Sequence, residues 1–365
     1  MNTFSKVTLA LTLCLGALAQ NPATVTNSYT AKPLVSDIPG VGVSTDKFLV
    51  NPWGLSKLVS PSFPEEQWWA SDNGTGVSTL YNANGTKVNG FVVTIPPASG
   101  TGTGSPTGTV GYNQNFAFST ADGTISLWKS TTGPAVTSFV HSQATAACAQ
   151  CHTSAATIMV NNSSKGAAYT GLTEAANAGV NSGKATLYAA NAAGGIEAYD
   201  ATSFAPVTLP QGAFVDANVP AQFGPYGIQA IGPVIVVTFA APGPTTGGAA
   251  DVFSAAGTLL LRLESGSWFS QPFGVALAPA NFGAFSNDLL VGNTLNGTIM
   301  AFDPKTGHFL GLVLNSSGTP IAVPGLWGIS FGNGSTESGP KNTLYYNAGI
   351  GNYKFGLFAA LTSND

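Results

Sequence analysis

The sequence is poor in charged residues, and this shortage argues against two classes of partner. Only 8% of the 365 residues are charged, and Arg262 is the single arginine. Proteins that bind phosphate backbones or anionic membrane surfaces do so with clustered Lys and Arg side chains. Because the sequence contains no such cluster, we expect neither a nucleic-acid partner nor an anionic membrane surface as partner.

Long apolar runs are also missing, since no segment reaches the roughly 20 residues that a membrane span requires. The first residues instead have the pattern of a secretory signal: Lys6, an apolar run over 7–15 and a small-residue cleavage site at 17–19. We therefore predict a signal peptide over residues 1–19, a secreted, extracellular protein without a membrane span, and a single domain over residues 20–365.

Histidine and cysteine are scarce, with three residues each, so few groups are available for nucleophilic or redox chemistry. No Gly-x-Ser-x-Gly motif is present. The glycine-rich stretch over 98–108 lacks the lysine of a phosphate-binding loop. The sequence therefore predicts no particular catalytic residue.

The two cysteines that remain after signal cleavage, Cys148 and Cys151, directly precede His152 in a Cys-x-x-Cys-His segment. This segment is the attachment signature of c-type haem, with His152 as an iron ligand and His141 or Met159 as a candidate second ligand. Flanks rich in Ala, Ser and Thr favour instead a Cys148–Cys151 disulfide in an oxidising compartment. Free thiols, or a zinc site that includes His141, are the remaining alternatives.

Glycine and proline are abundant, with 45 and 23 residues, and six of the glycines recur at regular intervals. In each case a Pro, Tyr or Leu stands two residues before the glycine. The six glycines are Gly54, Gly108, Gly171, Gly227, Gly274 and Gly328. Their residue numbers differ by 54, 63, 56, 47 and 54. A repeat of about 40–50 residues is typical of propeller blades, which bury their faces only by stacking on one another.

Each repeat continues with apolar strands separated by turn residues such as Asp122-Gly123 and Asn296-Gly297, a strong hairpin signal. The sixth copy ends without an outer strand, and Tyr29–Ser36 could supply it and cover the exposed sheet edge. We therefore predict an all-β fold, a six-bladed β-propeller closed by an N-terminal strand in the last blade, with an insertion over about 134–165. A seventh blade would need a cryptic repeat within 108–171.

Several motifs resemble those of a family of uncharacterised secreted proteins whose predicted propeller is related to NHL and TolB-type repeats. They include Asn51-Pro52-Trp53-Gly54, Asp72-Asn73-Gly74-Thr75-Gly76, Pro225-Tyr226-Gly227-Ile228-Gln229, Ala278-Pro279-Ala280-Asn281-Phe282-Gly283 and Gly325-Leu326-Trp327-Gly328. The resemblance runs from about Leu34 to Leu361. It implies a propeller fold and secretion, and it brings no established catalytic residues.

Acidic and amide side chains recur near the end of the second strand of each blade. They are Asp72, Asn73, Asp122, Asn191, Asn293 and Asn347. Oxygen ligands of this kind suit Ca²⁺, and Asp72 and Asp122 are the first candidates for a metal site. Asp and Asn also serve the backbone in turns, and this interpretation is favoured here. We predict no bound cofactor, with Ca²⁺ as the alternative.

Aromatic residues precede four of the repeated glycines: Trp53, Tyr226, Phe273 and Trp327. They are candidates for a ligand-binding platform at the channel mouth, although packing between blades explains the same recurrence. We predict a monomeric binding or structural protein with an extracellular ligand or protein partner. The alternatives are a Ca²⁺-dependent lactonase- or lyase-like hydrolase acting at the channel and, less favoured, a haem electron-transfer protein.

Seven Asn-x-Ser/Thr sequons predict a glycoprotein if the host glycosylates. They lie at Asn73, Asn84, Asn161, Asn162, Asn296, Asn315 and Asn333. Asn-Gly-Thr is also good turn chemistry, which offers a second explanation for Asn73, Asn84 and Asn296.

Overall fold

Six sheets form the blades of a ring in the computed structural model, which describes residues 26–58, 67–129, 155–175 and 180–365. Their strands pair antiparallel except for one short parallel pair in the sixth sheet. Five sheets have four strands, and the sixth gains one extra short strand. The prediction of an all-β, six-bladed propeller is therefore confirmed.

The strands follow one another blade by blade along the chain. They begin with β1 (Tyr29–Ser36) and β2 (Ser44–Thr45). Blade 1 contains β3 (Pro52–Ser56), β4 (Trp68–Asp72), β5 (Val77–Tyr81) and β6 (Lys87–Thr94). Blade 2 contains β7 (Pro106–Tyr112), β8 (Asn115–Thr120), β9 (Thr124–Lys129) and β10 (Thr157–Asn161). Blade 3 contains β11 (Tyr169–Ala175), β12 (Thr186–Asn191), β13 (Gly195–Asp200) and β14 (Pro206–Val207).

The second half of the ring repeats this order. Blade 4 contains β15 (Gly224–Ile231), β16 (Val234–Ala240), β17 (Ala249–Ser254) and β18 (Leu259–Arg262). Blade 5 contains β19 (Pro272–Leu277), β20 (Leu289–Asn293), β21 (Ile299–Phe302) and β22 (Phe309–Leu312). Blade 6 contains β23 (Leu326–Phe331), β24 (Thr343–Ala348) and β25 (Leu357–Ser363). Helical turns are limited, within the described ranges, to Ser163–Lys165, Gly283–Phe285 and α1 (Ile350–Tyr353).

The ring is closed by β1, which pairs antiparallel with β25 from Tyr29 opposite Ser363 to Ser36 opposite Leu357. This strand has the predicted bounds and the predicted place as the fourth strand of blade 6. Its Tyr29 is 1% exposed, and the phenol donates a hydrogen bond of 2.8 Å to the carbonyl of Phe282 near blade 5. An edge that would otherwise be free for pairing with another chain is thereby covered.

The hydrophobic core is divided into six clusters, one between each pair of neighbouring blades in the described part of the chain. Between blades 1 and 2, for example, Trp69 stacks on Phe116 with ring centroids 3.9 Å apart. Between blades 6 and 1, Trp68 packs on Tyr345 at 4.9 Å. Each blade therefore buries both faces against its neighbours, as the repeat predicts.

The repeated glycines lie where the six innermost strands approach one another most closely. A β-carbon on Gly54 would lie 2.6 Å from the carbonyl oxygen of Thr107 in blade 2, and one on Gly328 would lie 2.8 Å from that of Trp53 in blade 1. The pairing register of every innermost strand also shifts at this point, which marks a β-bulge. The glycine repeat is therefore a steric requirement of the ring around the channel.

Part of the predicted insertion belongs to a blade. Residues Thr157–Asn161 form the outermost strand of blade 2, paired with β9. Cys148, Cys151, His141 and His152 lie outside the described residues, so the disulfide, haem and zinc alternatives remain predictions. Across the described ranges, no helix is both long and apolar enough to span a membrane.

Candidate functional site

The innermost strands run in the same direction around the channel, so residues before the repeated glycines lie at one end and residues after them at the other. At the level of the glycines, the channel retains a space of about 40 Å³, room for only a few water molecules. The two ends are therefore separate environments.

The predicted aromatic residues come together at the first end. Trp53 and Trp327 stack with ring centroids 3.7 Å apart, and Phe273 contacts Trp327 edge-on at 5.0 Å. Tyr226 contacts Phe273 at 5.5 Å. Blades 2 and 3 place threonines at the equivalent positions, so four rings from four blades fill the space left between six strands. We call this group the aromatic cluster.

The rings of the aromatic cluster use much of their surface on one another. Trp327 is 2% and Phe273 6% exposed, while Trp53 and Tyr226 are half-buried. Trp327 also donates a hydrogen bond of 3.0 Å from its indole to the side chain of Asn51. This arrangement matches packing between blades more closely than an open stacking platform, and ligand binding by these rings remains a prediction.

A polar cavity of about 420 Å³ opens at the other end of the channel, beyond the glycines. Its size lies within the range of small-molecule sites. Polar side chains from five of the six blades line it: Ser56, Lys57, Thr109, Tyr112, Asn113, Thr173, Glu174, Gln229 and Ser330. We call this space the polar cavity.

Lys57 lines the polar cavity directly after the end of β3. The amine donates hydrogen bonds to the carbonyl oxygen of Phe331 at 2.6 Å and to the hydroxyl of Ser330 at 3.2 Å. It also lies 4.2 Å from the ring centroid of the buried Trp68. Within the described residues no carboxylate lies within ion-pair distance of it. Burial lowers the pKa of Lys57 to about 7.

Glu174 and Tyr112 add acidic groups to the same cavity. Burial raises the pKa of Glu174. Tyr112 is 7% exposed, and its hydroxyl has no hydrogen-bond partner among the residues that the structure describes. Burial, together with the nearby charge of Glu174, raises the pKa of Tyr112. A buried hydroxyl without a partner is costly, and a polar ligand would satisfy it.

The two carboxylates predicted as metal ligands make local contacts, although Oδ1 of Asp72 is buried without a hydrogen-bond partner in the described residues. The Asp122 carboxylate accepts hydrogen bonds from the Thr120 hydroxyl at 2.5 Å and the Ala98 backbone at 2.6 Å. Asp72 is fully buried and accepts a bond of 2.7 Å from Thr79, and burial raises the pKa of its carboxyl. No group of three His, Cys, Asp or Glu side chains in the described ranges could hold a metal ion. A Ca²⁺ site remains a prediction for metal analysis.

The predicted amide positions mostly support the backbone. Asn191 accepts hydrogen bonds from the backbone of Ala168 and Ala193, at 2.9 and 3.1 Å. Asn293 accepts a bond of 2.8 Å from Ser270, and Asn347 donates one of 2.9 Å to the carbonyl of Gly54. These contacts match the favoured interpretation of turn and strand support.

The sequons differ in how free their amides are. Asn84, Asn161 and Asn296 are exposed, although the amide nitrogen of Asn161 donates a hydrogen bond of 2.9 Å to the carbonyl of Ala98. The amide nitrogen of Asn162 instead donates to the phenols of Tyr169 and Tyr199, both at 2.8 Å, and to Glu197 at 3.2 Å. Asn73, Asn315 and Asn333 are half-buried. Occupancy of any sequon remains a prediction.

A second group of charges lies away from the channel, where Arg262 forms an ion pair with the buried Asp216 beside the buried Asp251. Burial, then the charge of Asp216, raises the pKa of Asp251 to about 7, against an ordinary value of 3.8, while Arg262 opposes the shift. The hydrogen bond from Arg262 lowers the pKa of Asp216. The two carboxyls therefore titrate in different pH windows.

Asp251 should make the protein less stable as the pH rises. The folded state holds this proton more tightly than the unfolded chain, so the contribution is complete below the unfolded pKa of 3.8 and is lost as the pH rises to about 7. We expect the free energy of unfolding in urea to fall between about pH 4 and pH 7, and Asp251→Asn to flatten this slope. Asp216 contributes its own loss only at lower pH. A variant with an unchanged slope would contradict the assignment.

The comparisons with known proteins agree with the fold. No family model matches the chain. It is similar to uncharacterized protein R648 of Acanthamoeba polyphaga mimivirus, 26% identical over 325 residues that cover 85% of this chain and 75% of that protein. Uncharacterized protein L690 of the same virus is 28% identical over 320 residues, covering 81% of this chain and 77% of that protein.

Among solved structures, a glucose dehydrogenase aligns with a TM-score of 0.53 and 13% identity, covering 91% of this chain and 98% of its own. This likeness shows the propeller fold alone. The resemblance to a family of secreted propellers stays a prediction.

Proposed function

We propose that this chain is a binding protein that takes a small polar molecule in the polar cavity. The observation that carries the proposal is that Lys57, which lines this cavity, forms no ion pair with a carboxylate in the described ranges. Two of its three possible hydrogen-bond donors are used, on Ser330 and Phe331, which leaves one for a ligand. The unpartnered Tyr112 hydroxyl supports the same conclusion.

The proposal includes secretion and an extracellular ligand, which rest on the signal-like residues 1–19. The seven sequons agree with this location. The aromatic cluster then has a structural role, because it joins four blades at the opposite end of the channel.

Saturation-transfer NMR with a panel of small polyols, hydroxyketones and short sugars tests the proposal. We expect binding by the wild type and its loss in Gln229→Trp, because Gln229 is exposed, lines the polar cavity and would block its mouth as tryptophan. The matched variant Tyr226→Leu alters the aromatic cluster and should leave binding intact. Loss of binding in Tyr226→Leu but not in Gln229→Trp would place the ligand at the aromatic end and contradict the proposal.

A further inference from the structure

The amine of Lys57 combines three properties that a nucleophilic lysine needs. Lys57 is one of the residues that line a cavity of about 420 Å³, which a small molecule can enter. The surroundings of the amine are a buried indole, a hydroxyl and a carbonyl group. No carboxylate in the described part of the chain pairs with it and holds it in the charged form. Lysines desolvated in this way react as free amines with carbonyl compounds.

The same cavity carries groups that can exchange protons with a reacting carbonyl. Lys57, Glu174 and Tyr112 are the titratable residues that line it within the described ranges. Tyr112 keeps a buried hydroxyl without a partner, and Glu174 is half-buried at the end of β11. Carboxyl and phenol groups placed near a reacting amine are the usual general acids and bases of such steps.

We propose that the Lys57 amine forms a reversible imine with a small hydroxylated aldehyde or ketone held in the polar cavity. This inference rests on the proposed function and narrows its ligand to one chemical class. Hydroxyl and amide side chains dominate the polar part of the lining, at Ser56, Thr109, Asn113, Gln229 and Ser330. These groups match the hydroxyls of such a ligand.

The reaction needs no oxidant and no cofactor. The lone pair of the Lys57 nitrogen forms a bond to the carbonyl carbon, and the carbonyl π electrons move to the oxygen, which takes up a proton. The nitrogen then loses one proton to give the neutral carbinolamine. Its hydroxyl is protonated and leaves as one water molecule while the nitrogen lone pair forms the C=N bond, and the resulting iminium loses its N–H proton. Water therefore leaves, the imine remains, and hydrolysis reverses every step.

The chemistry predicts that Lys57 reacts much faster than an exposed lysine. At neutral pH about half of an amine with a pKa near 7 is uncharged, against roughly one in 2,500 for an exposed lysine with its ordinary pKa. Part of this advantage is lost, because a less basic amine is a weaker nucleophile and a cavity limits access. We expect a net advantage of about tenfold over Lys165 and Lys305, which are exposed.

Reductive trapping of the wild-type protein measures this difference. The protein is incubated at pH 7 with glycolaldehyde and sodium cyanoborohydride, which delivers hydride to any imine, and labelled lysines are located by peptide mass spectrometry. We expect Lys57 to be labelled about tenfold faster than Lys165 and Lys305, with its rate half-maximal near pH 7. The rates of the exposed lysines should still rise above pH 9.

The variant Gln229→Trp serves as the control for access through the polar cavity. It should slow the labelling of Lys57 by about tenfold and leave Lys305 unchanged. Labelling of Lys57 at or below the rate of the exposed lysines, or insensitivity to Gln229→Trp, would overturn the inference. If polyols bind in the NMR experiment while Lys57 is not labelled, the imine is refuted and the binding function stands. If neither is observed, both fail.

Discussion

Replacing Gly227 with alanine is expected to destabilise the propeller by about 3 kcal/mol, the upper part of the usual range for overpacking. The new methyl group would overlap the carbonyl oxygen of Phe273 in the next blade and would lie 2.7 Å from the hydroxyl of Thr238. The amide of Gly227 also donates a hydrogen bond of 2.8 Å to that hydroxyl. Because the obstacle is backbone, the innermost strands of two blades would have to separate. Urea unfolding followed by circular dichroism measures the loss.

Gly171→Ala is the matched control at the same level of the ring. Its β-carbon would lie 3.1 Å from the backbone nitrogen of Ile228, so a small shift accommodates it. We expect the free energy of unfolding to fall by about 1 kcal/mol, the lower end of the usual range for overpacking. Equal losses in the two variants would show that contact between the innermost strands does not select glycine.

Tyr29→Ala is expected to lower the free energy of unfolding by about 3–5 kcal/mol, as for other large buried aromatics. Tyr29 packs on Phe282 with ring centroids 4.9 Å apart, and its hydroxyl accepts a hydrogen bond of 3.2 Å from the backbone of Phe285. Loss of these contacts would weaken the docking of β1 and expose the edge of β25. We therefore also expect aggregation on heating.

Lys32→Ala provides a control on the same strand, because Lys32 is exposed on β1. Its effect should lie within about 0.5 kcal/mol, as for most surface substitutions. If Tyr29→Ala were as mild as Lys32→Ala, β1 could not be the strand that holds the ring closed.

Most of the fold can be predicted from the sequence because each blade repeats the same order of strands and turns and buries its faces against its neighbours in the same way. Turn residues such as Asp122-Gly123 and the missing outer strand of the sixth repeat indicate the hairpins and the closure by Tyr29–Ser36. The physical reason for the repeated glycines is not visible in the sequence. It lies in contacts between strands about 50 residues apart and in a bulge that no local pattern reports.

The candidate site is harder to predict, and the two ends of the channel show why. The aromatic residues stand directly before the repeated glycines, so their recurrence attracts notice, and the structure brings them together. Lys57 and Glu174 carry no motif. Both nevertheless stand three residues after a repeated glycine, at the ends of the innermost strands β3 and β11. That register is the signal from which the polar cavity could have been predicted.

Charge is unusually informative in this protein because there is so little of it. Within the described ranges, Lys57 and Glu174 line the same cavity and do not form an ion pair with each other. Holding two such groups apart in a half-buried space costs stability. Residues with shifted pKa values, such as Lys57 and Glu174, concentrate at functional sites. This is the physical basis for placing the ligand in the polar cavity.

Crystals soaked with glycerol, dihydroxyacetone and glycolaldehyde provide the most direct test of the ligand site. We expect density for the polyol and the hydroxyketone in the polar cavity, within hydrogen-bond distance of the Lys57 amine and the Tyr112 hydroxyl. Binding of these molecules only beside Trp53 and Tyr226, with an empty polar cavity at the same concentration, would contradict the assignment.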